Sequence, residues 1–293
     1  MRLPKVGGAP RIGQAFIFGM KHIQATFARI ATVVLLSSAL LLSACAGEDK
    51  KEETTYIEGS VETLYNTGMD YLQEENFKEA AVYFNEVERQ HPYSIWATKA
   101  QLMAGYAYYR NRQYDDSLNT LDRFIQLHPG NRDAAYAMYL RALCYYEQIA
   151  DVKRDQKNTE RALDGFKEVV RRYPESRYAR DAKEKIELTE DHLAGKEMEV
   201  GRYYLRREQY LAAMNRFRTV VTQYQTSTHT PEAMHRLVEC YMAMGMTDEA
   251  RRTAAVLGYN FPGSQWYTDS YALVEGISVE TAEGKKSSFW NWF

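Results

Sequence analysis

Few side chains in this 293-residue chain are suited to covalent or metal chemistry: it has three cysteines and six histidines. His229, His235 and Cys240 come near one another in sequence. The step from His235 to Cys240 nevertheless puts the two on different helix faces, so they do not form a metal site. The motifs of nucleophile elbows, phosphate-binding loops, dinucleotide folds and zinc proteases are all missing from the sequence. Carboxylates are scattered over polar helix faces, where they read as solvated partners of neighbouring bases. The expectation is no catalytic residue, no metal and no cofactor. What the chain has in quantity is tyrosine, 23 residues of it, a side chain that binds rather than reacts.

The tyrosines are placed by a repeat. From Val61 to Pro92, with Val61 as the first position, Leu64, Gly68, Tyr71, Ala80, Phe84, Val87 and Pro92 take the positions of a tetratricopeptide unit. Two amphipathic helices that cross closely need small residues at the crossing, here Gly68 and Ala80, and a proline ends the second helix. Such a hairpin cannot bury its own apolar face and requires stacked copies. The second copy carries Gly105, Tyr108, Ser117, Leu121, Phe124 and Pro129. In the third, Ala142 and Tyr145 are followed late by Ala162, Phe166, Val169 and Pro174, so its turn is enlarged, over Asp151 to Thr159. The fourth has Gly201, Tyr204, Ala213, Phe217 and Val220, with Gln225 in place of proline. The fifth has Val238, Tyr241, Ala250, Ala254, Leu257 and Pro262. The fold expected is an all-α solenoid of about five tetratricopeptide helix hairpins with an enlarged turn in the third repeat. Cys144 and Cys240 then lie two repeats apart and read as small core residues, not as a disulfide.

In that frame one wall of the stack is built from the first helices. Tyr65, Met69, Leu72, Leu102, Tyr106, Tyr109, Tyr136, Tyr139, Leu143 and Tyr146 are expected to line a peptide-binding groove. The competing reading, that single tyrosines only pack against the next repeat, stands beside it. Farther on, Arg202, Arg206, Arg207, Arg216 and Arg218 cluster in the fourth repeat, after Arg171, Arg172, Arg177 and Arg180. They are either a solvated face or a docking surface for an acidic partner.

Residues 1–44 contain no acid and carry five basic residues ahead of the apolar run Ile30 to Leu42, which ends in Ser43-Ala44-Cys45. This is a secretory signal, too short in its apolar part to span a bilayer. Met20 offers a second start. LLSAC resembles the bacterial lipobox, which implies cleavage before Cys45 and its diacylation; ordinary secretion with an incidental cysteine is the alternative. Ala46 after the cysteine implies release to the outer membrane. Residues 45–58 read as a flexible lipidated tether, 59–275 as the repeat domain and 276–293 as a C-terminal tail. Without the signal, 32 basic residues face 39 acidic ones, a balance of −7 that argues against nucleic acid.

Four stretches carry a resemblance to a known family. They are His91-Pro92-Tyr93-Ser94, Ala107-Tyr108-Tyr109 with Asp122-Arg123-Phe124-Ile125, the insertion before Arg161-Ala162, and Tyr173 to Tyr178 leading into a long helix. With the lipoprotein signal, the chain from about Thr54 to Val274 resembles the BamD (ComL) family, tetratricopeptide lipoproteins of the outer-membrane β-barrel assembly machinery. The resemblance implies that the first repeats receive C-terminal segments of unfolded outer-membrane proteins. It also implies that later repeats dock the POTRA domains of BamA, near Asn215-Arg216, beside other Bam lipoproteins. The location implied is the outer membrane, lipid-anchored and facing the periplasm. Another periplasmic repeat lipoprotein, acting in cell-wall synthesis or division, would share signal and fold. The aromatic tail Ser287 to Phe293 has no place in the resemblance.

Overall fold

The computed structural model describes residues 57–276 and, beyond them, the antiparallel backbone pairing of Val279–Glu280 with Lys286–Ser287. The expected signal segment, Cys45, the tether to Tyr56 and the aromatic residues Phe289 to Phe293 lie outside the described residues. The helices are α1 (Val61–Gln73), α2 (Phe77–Gln90), α3 (Ile95–Arg110), α4 (Tyr114–Leu127), α5 (Ala134–Tyr146), α6 (Lys157–Arg172), α7 (Arg177–Leu205), α8 (Tyr210–Gln223), α9 (Thr230–Ala243), α10 (Thr247–Asn260) and α11 (Gln265–Glu275). From α1 to α10 they pair in order as hairpins, and α11 packs on α9 and α10. The fold is an all-α tetratricopeptide solenoid. First helices of successive hairpins also touch, α1 with α3, α3 with α5 and α5 with α7.

Local sequence explains why each helix stops and starts where it does. Four of the turns inside hairpins place one residue in the left-handed region: Glu75 (φ 58), Arg112 (φ 60), Glu208 (φ 57) and Gly245 (φ 74). The next amide then closes on the carbonyl of the repeat's tyrosine five residues earlier: Asn76 N on Tyr71 O, Gln113 N on Tyr108 O, Gln209 N on Tyr204 O and Met246 N on Tyr241 O, at 2.8 to 3.0 Å. Between hairpins, side chains cap the next helix. Ser94 Oγ accepts from Trp96 N, Ser176 Oγ from Ala179 N and Ser264 Oγ from Trp266 N. Gln225, where other repeats have proline, does not extend α8, because Ser227 Oγ accepts from His229 N and starts the next turn.

The core runs along the stack as successive clusters. One is centred on Phe84 and Val87, the next on Leu121 and Phe124, then Phe166 and Val169, then Phe217 and Val220. Cys144 and Cys240 are both free, fully buried thiols. Burial pushes Cys144 up to about 11 and Cys240 up to about 12, so both stay protonated and inert. His235 is committed to Ser270 Oγ at 2.8 Å and Glu239 at 3.5 Å, and His229 faces Asp191 at 4.0 Å. No cluster able to hold a metal ion occurs among the described residues.

The connection from α5 to α6 spans 147–156, one turn earlier than the sequence placed it. Lys157, Asn158 and Thr159 already form the start of α6, because Thr159 Oγ1 donates to Gln156 Oε1 and Glu160 N to Gln156 O. The loop is held by Gln156 Nε2, which donates to the carbonyls of Asp151 and Arg154, and by Lys196 Nζ, which reaches Arg154 O from α7. On α7 the segment Asp191 to Lys196 is also gripped by the α8–α9 link, where Thr228 donates through N and Oγ1 to Asp191. This double clasp keeps a 29-residue helix continuous between the third and fourth hairpins.

Candidate functional site: an aromatic cleft on the first-helix wall

Tyr136 on α5 brings the wall together. Its ring centroid lies 5.2 Å from Tyr178 of α7, and Tyr178 in turn stacks on Tyr139 at 5.5 Å. Burial raises the Tyr136 hydroxyl above its ordinary value, and the nearby hydroxyls of Tyr106, Tyr178 and Tyr109 add to the effect. Burial likewise raises Tyr139, and its hydrogen bond to Asp181 raises it further. Tyr109 is pushed up to about 12, by burial first and then by the Glu147 carboxylate, to which it donates at 3.4 Å. Tyrosines from three successive first helices are therefore neighbours.

Beside them opens a cleft of about 480 Å³ between α1, α3, α5 and the start of α7. Tyr65, Leu102, Met103, Tyr136 and Tyr178 form its apolar lining, Lys99, Arg132 and Arg177 its cations, and Asp133 its carboxylate. Tyr65 is held between Phe84 at 5.6 Å and Trp96 at 4.8 Å, so its ring is fixed before any ligand arrives. Apolar rings with hydroxyl edges and cations alongside suit an extended chain carrying aromatic side chains.

The expected wall is thus brought together only in part. Tyr65, Leu102 and Tyr136 line the cleft, although Leu102 is largely committed to the core between α3 and α5. Tyr106, Tyr109 and Tyr139 do not line it: Tyr106 and Tyr109 lie near Tyr136, Tyr139 stacks on Tyr178, and the Tyr106 hydroxyl accepts from Arg110 Nη1 at 2.8 Å. Met69 and Leu72 pack on the first core cluster, and Leu143 joins the second and third. Tyr146 packs on Phe166 beneath the Lys185 ammonium. Helix–helix packing claims these four because each hairpin turns its first helix toward its own second helix as well as toward the groove. Sequence reading missed Tyr178, Lys99 and Arg132 as members. Arg177-Tyr178 precede the fourth repeat frame, and only the length of α7 reveals that its first turn joins the wall.

The fourth-repeat arginines do not form one patch. Arg202 is an internal strut: Nε and Nη2 donate to Glu232 at 2.9 and 2.6 Å, and Nη1 to Glu199 at 3.0 Å. Arg216 pairs with Glu197 at 3.1 Å, and Arg218 donates to the Tyr241 hydroxyl at 3.3 Å. Arg206 and Arg207 are exposed at the α7–α8 turn, with Arg207 over the exposed Tyr203 ring at 4.7 Å.

The model of a family described as outer membrane lipoprotein, YfiO, matches residues 57–257, nearly the whole helical stack. The chain belongs to this family. The outer membrane protein assembly factor BamD of Caulobacter vibrioides is 52% identical over 251 residues, covering 86% of this chain and 82% of the relative. That of Rickettsia prowazekii is 44% identical over 242 residues, covering 82% and 96%. That of Neisseria meningitidis serogroup A is 34% identical over 252 residues, covering 82% and 94%. The match to the family includes every helix that lines the cleft.

Proposed function

We propose that the chain is an outer-membrane lipoprotein of the periplasmic face that receives extended C-terminal segments of unfolded outer-membrane proteins and passes them to BamA. The role in outer-membrane protein assembly rests on family membership and on relatives that carry that role in their names. The same relatives favour this reading over a scaffold in cell-wall synthesis or division. The observation that carries the substrate site is the convergence of Tyr65, Tyr136 and Tyr178, from three different helices, on one open cleft. Cys45 is the proposed acylation site, and the exposed arginines at the α7–α8 turn are the proposed contact with BamA and accessory lipoproteins.

Site-specific photocrosslinking tests the site. Probes at Tyr65, Tyr136 and Tyr178 are expected to capture an assembling barrel protein, and a probe at the exposed Lys153 in the α5–α6 loop is not. Crosslinks from Lys153 with none from the three tyrosines would remove the cleft from the substrate path.

A further inference from the structure

α11 is built as a first helix but has no second helix of its own among the described residues. Its start, Ser264-Gln265-Trp266, repeats Ser94-Ile95-Trp96 at the start of α3, down to the serine hydroxyl that accepts from the tryptophan amide. That alignment puts Tyr271 where α3 has Gln101, four residues before the crossing position Gly105. The same place on α1, α5 and α9 is taken by Leu64, Met138 and Met234, and these three and Gln101 are buried, at 1 to 4% exposure. Leu64 and Met138 owe this to the clusters of Phe84 and Phe166, which come from the second helices of their own hairpins. Tyr271 is 52% exposed. Its ring lies 6.3 Å from that of Tyr267, which covers Gly258 of α10, so the seam between α10 and α11 is closed and the side of α11 carrying Tyr271 is open. A stack that ends on an open core position needs a cap.

The backbone beyond α11 turns back toward it. Val279 pairs with Ser287 and Glu280 with Lys286, antiparallel, so the chain at Ser287 runs opposite to its direction at Val279 and heads for Gly276, where α11 ends. The six residues 288–293 reach about 20 Å when extended, and the 11 residues of α11 span about 16 Å. We propose that residues 289–293 lie along the open side of α11 and cap the stack, with Trp290 and Trp292 on Tyr271. Alternate side chains of an extended segment share a face, which puts the two tryptophans on one side and Phe289, Asn291 and Phe293 on the other. The Asn291 amide needs hydrogen-bond partners and keeps its own face toward water. The face left for α11 is wholly aromatic, and rings of that size replace the cover that Phe84 and Phe166 give to Leu64 and Met138. The occupant of this surface is thus a segment of the same chain, and the closed end is not offered to a membrane or to a second copy.

The test uses the full-length protein, in detergent micelles and in vesicles of phosphatidylethanolamine and phosphatidylglycerol, with the photoreactive residue benzoylphenylalanine in place of Tyr271. Mass spectrometry of a mixture of isotopically light and heavy protein is expected to find α11 joined to the peptide containing residues 289–293 within one chain, in both settings. The same probe at the exposed Tyr93, in the α2–α3 link, should give no such product. Removal of residues 289–293 should speed amide exchange in α11 on the order of tenfold, as the cover of two large rings is lost, and leave α1 to α4 unchanged. Trp290→Ala/Trp292→Ala should reproduce most of that change, and Phe289→Ala/Phe293→Ala only a small part of it. Mixed light–heavy products would mean that a second copy covers the helix, and crosslinks to lipid in the vesicles would mean that a membrane does; either overturns the cap. Unchanged exchange in α11 after removal of the segment overturns it as well. A larger effect from the phenylalanine pair than from the tryptophan pair overturns the assignment of the inward face.

Discussion

Gly68 on α1 lies against the ring of Phe84 on α2 so closely that a Cβ at Gly68 would meet Phe84 Cε1 at 2.9 Å. The same approach recurs at Gly105, where a Cβ would meet Leu121 Cδ2 at 2.8 Å, and at Gly201 beneath Phe217. The third hairpin reverses it, with Ala142 on the first helix and Gly165 on the second at 2.9 Å. The hairpin geometry is therefore fixed by which side gives up its side chain, and the wall tyrosines inherit their spacing from these crossings.

Gly68→Ala should destabilise the chain despite the better helix propensity of alanine. Propensity favours the change by up to about 1 kcal/mol, while forcing a methyl onto the fully buried Phe84 costs about 1–3 kcal/mol. Gly130→Ala, at an exposed turn with open space around it, should be near neutral. Urea midpoints followed by circular dichroism would separate the two; equal midpoints would mean that the hairpin accommodates the methyl.

The Arg202–Glu232 strut should make stability fall in acid. Burial works to raise the Glu232 carboxyl, but the hydrogen bonds and charges of Arg202 and Arg236 overcome it and hold the group below its ordinary 4.5. A lowered folded-state value stabilises above the unfolded value, and this contribution is lost as pH falls through the folded one. Arg202→Ala should therefore cost about 1–3 kcal/mol at pH 7. The difference from the parent should narrow below about pH 4, as the unfolded carboxylates protonate. Parallel denaturation curves at pH 7 and pH 3.5 check this, and a constant difference across that range would assign the loss to packing instead.

Tyr139→Phe should keep the ring stack with Tyr178 and remove only the bond to Asp181. Asp181 is partly exposed and can be solvated, so a loss near the lower end of about 0.5–1.5 kcal/mol is expected. Asp181→Ala should behave similarly, and the double variant should lose little more than either single change if the two side chains act as a pair. Additive losses in thermal melts would show that they do not.

The repeat frame was legible in sequence because its determinants are local: glycine or alanine at the crossing, tyrosine whose carbonyl closes the turn, and proline or serine between hairpins. Gly68, Tyr71, Ala80 and Phe84 each act within one hairpin, and their spacing reports it directly. The cleft was less legible because its members come from different hairpins. Leu102 and Leu143 share the groove periodicity with Tyr136, yet core packing takes them. Tyr178 and Lys99 join the site only through the way α3, α5 and α7 lie side by side. The arginines were hardest to read, since Arg202 and Arg206 are four residues apart in sequence and the fold puts one in an internal strut and the other at an exposed turn.

Cys45→Ala should abolish acyl labelling in cells and shift the protein from the membrane fraction to the soluble periplasm, or leave an uncleaved precursor. Unchanged labelling and fractionation in this variant would place the anchor elsewhere.

The arginines left exposed define the last prediction. Arg206 and Arg207 stand at the α7–α8 turn beside the exposed Tyr203, whereas Arg202 is committed within the stack. An aromatic ring flanked by cations is the composition from which interface hot spots are drawn. Reversal to Arg206→Glu/Arg207→Glu should weaken binding to a purified POTRA fragment of BamA by tenfold or more, chiefly by slowing association, with the effect diminishing as salt rises. Arg216→Gln is the informative companion. Because Arg216 already pairs with Glu197 at 3.1 Å, removing it frees a carboxylate and should reduce the association rate less than the turn reversal does. Arg202→Ala separates docking from folding, since it should lower stability while leaving the association rate of the folded protein close to the parent. If the turn reversal binds like the parent and Arg202→Ala does not, the contact lies along the Arg202–Glu232 strut and the α7–α8 turn is only a solvated corner.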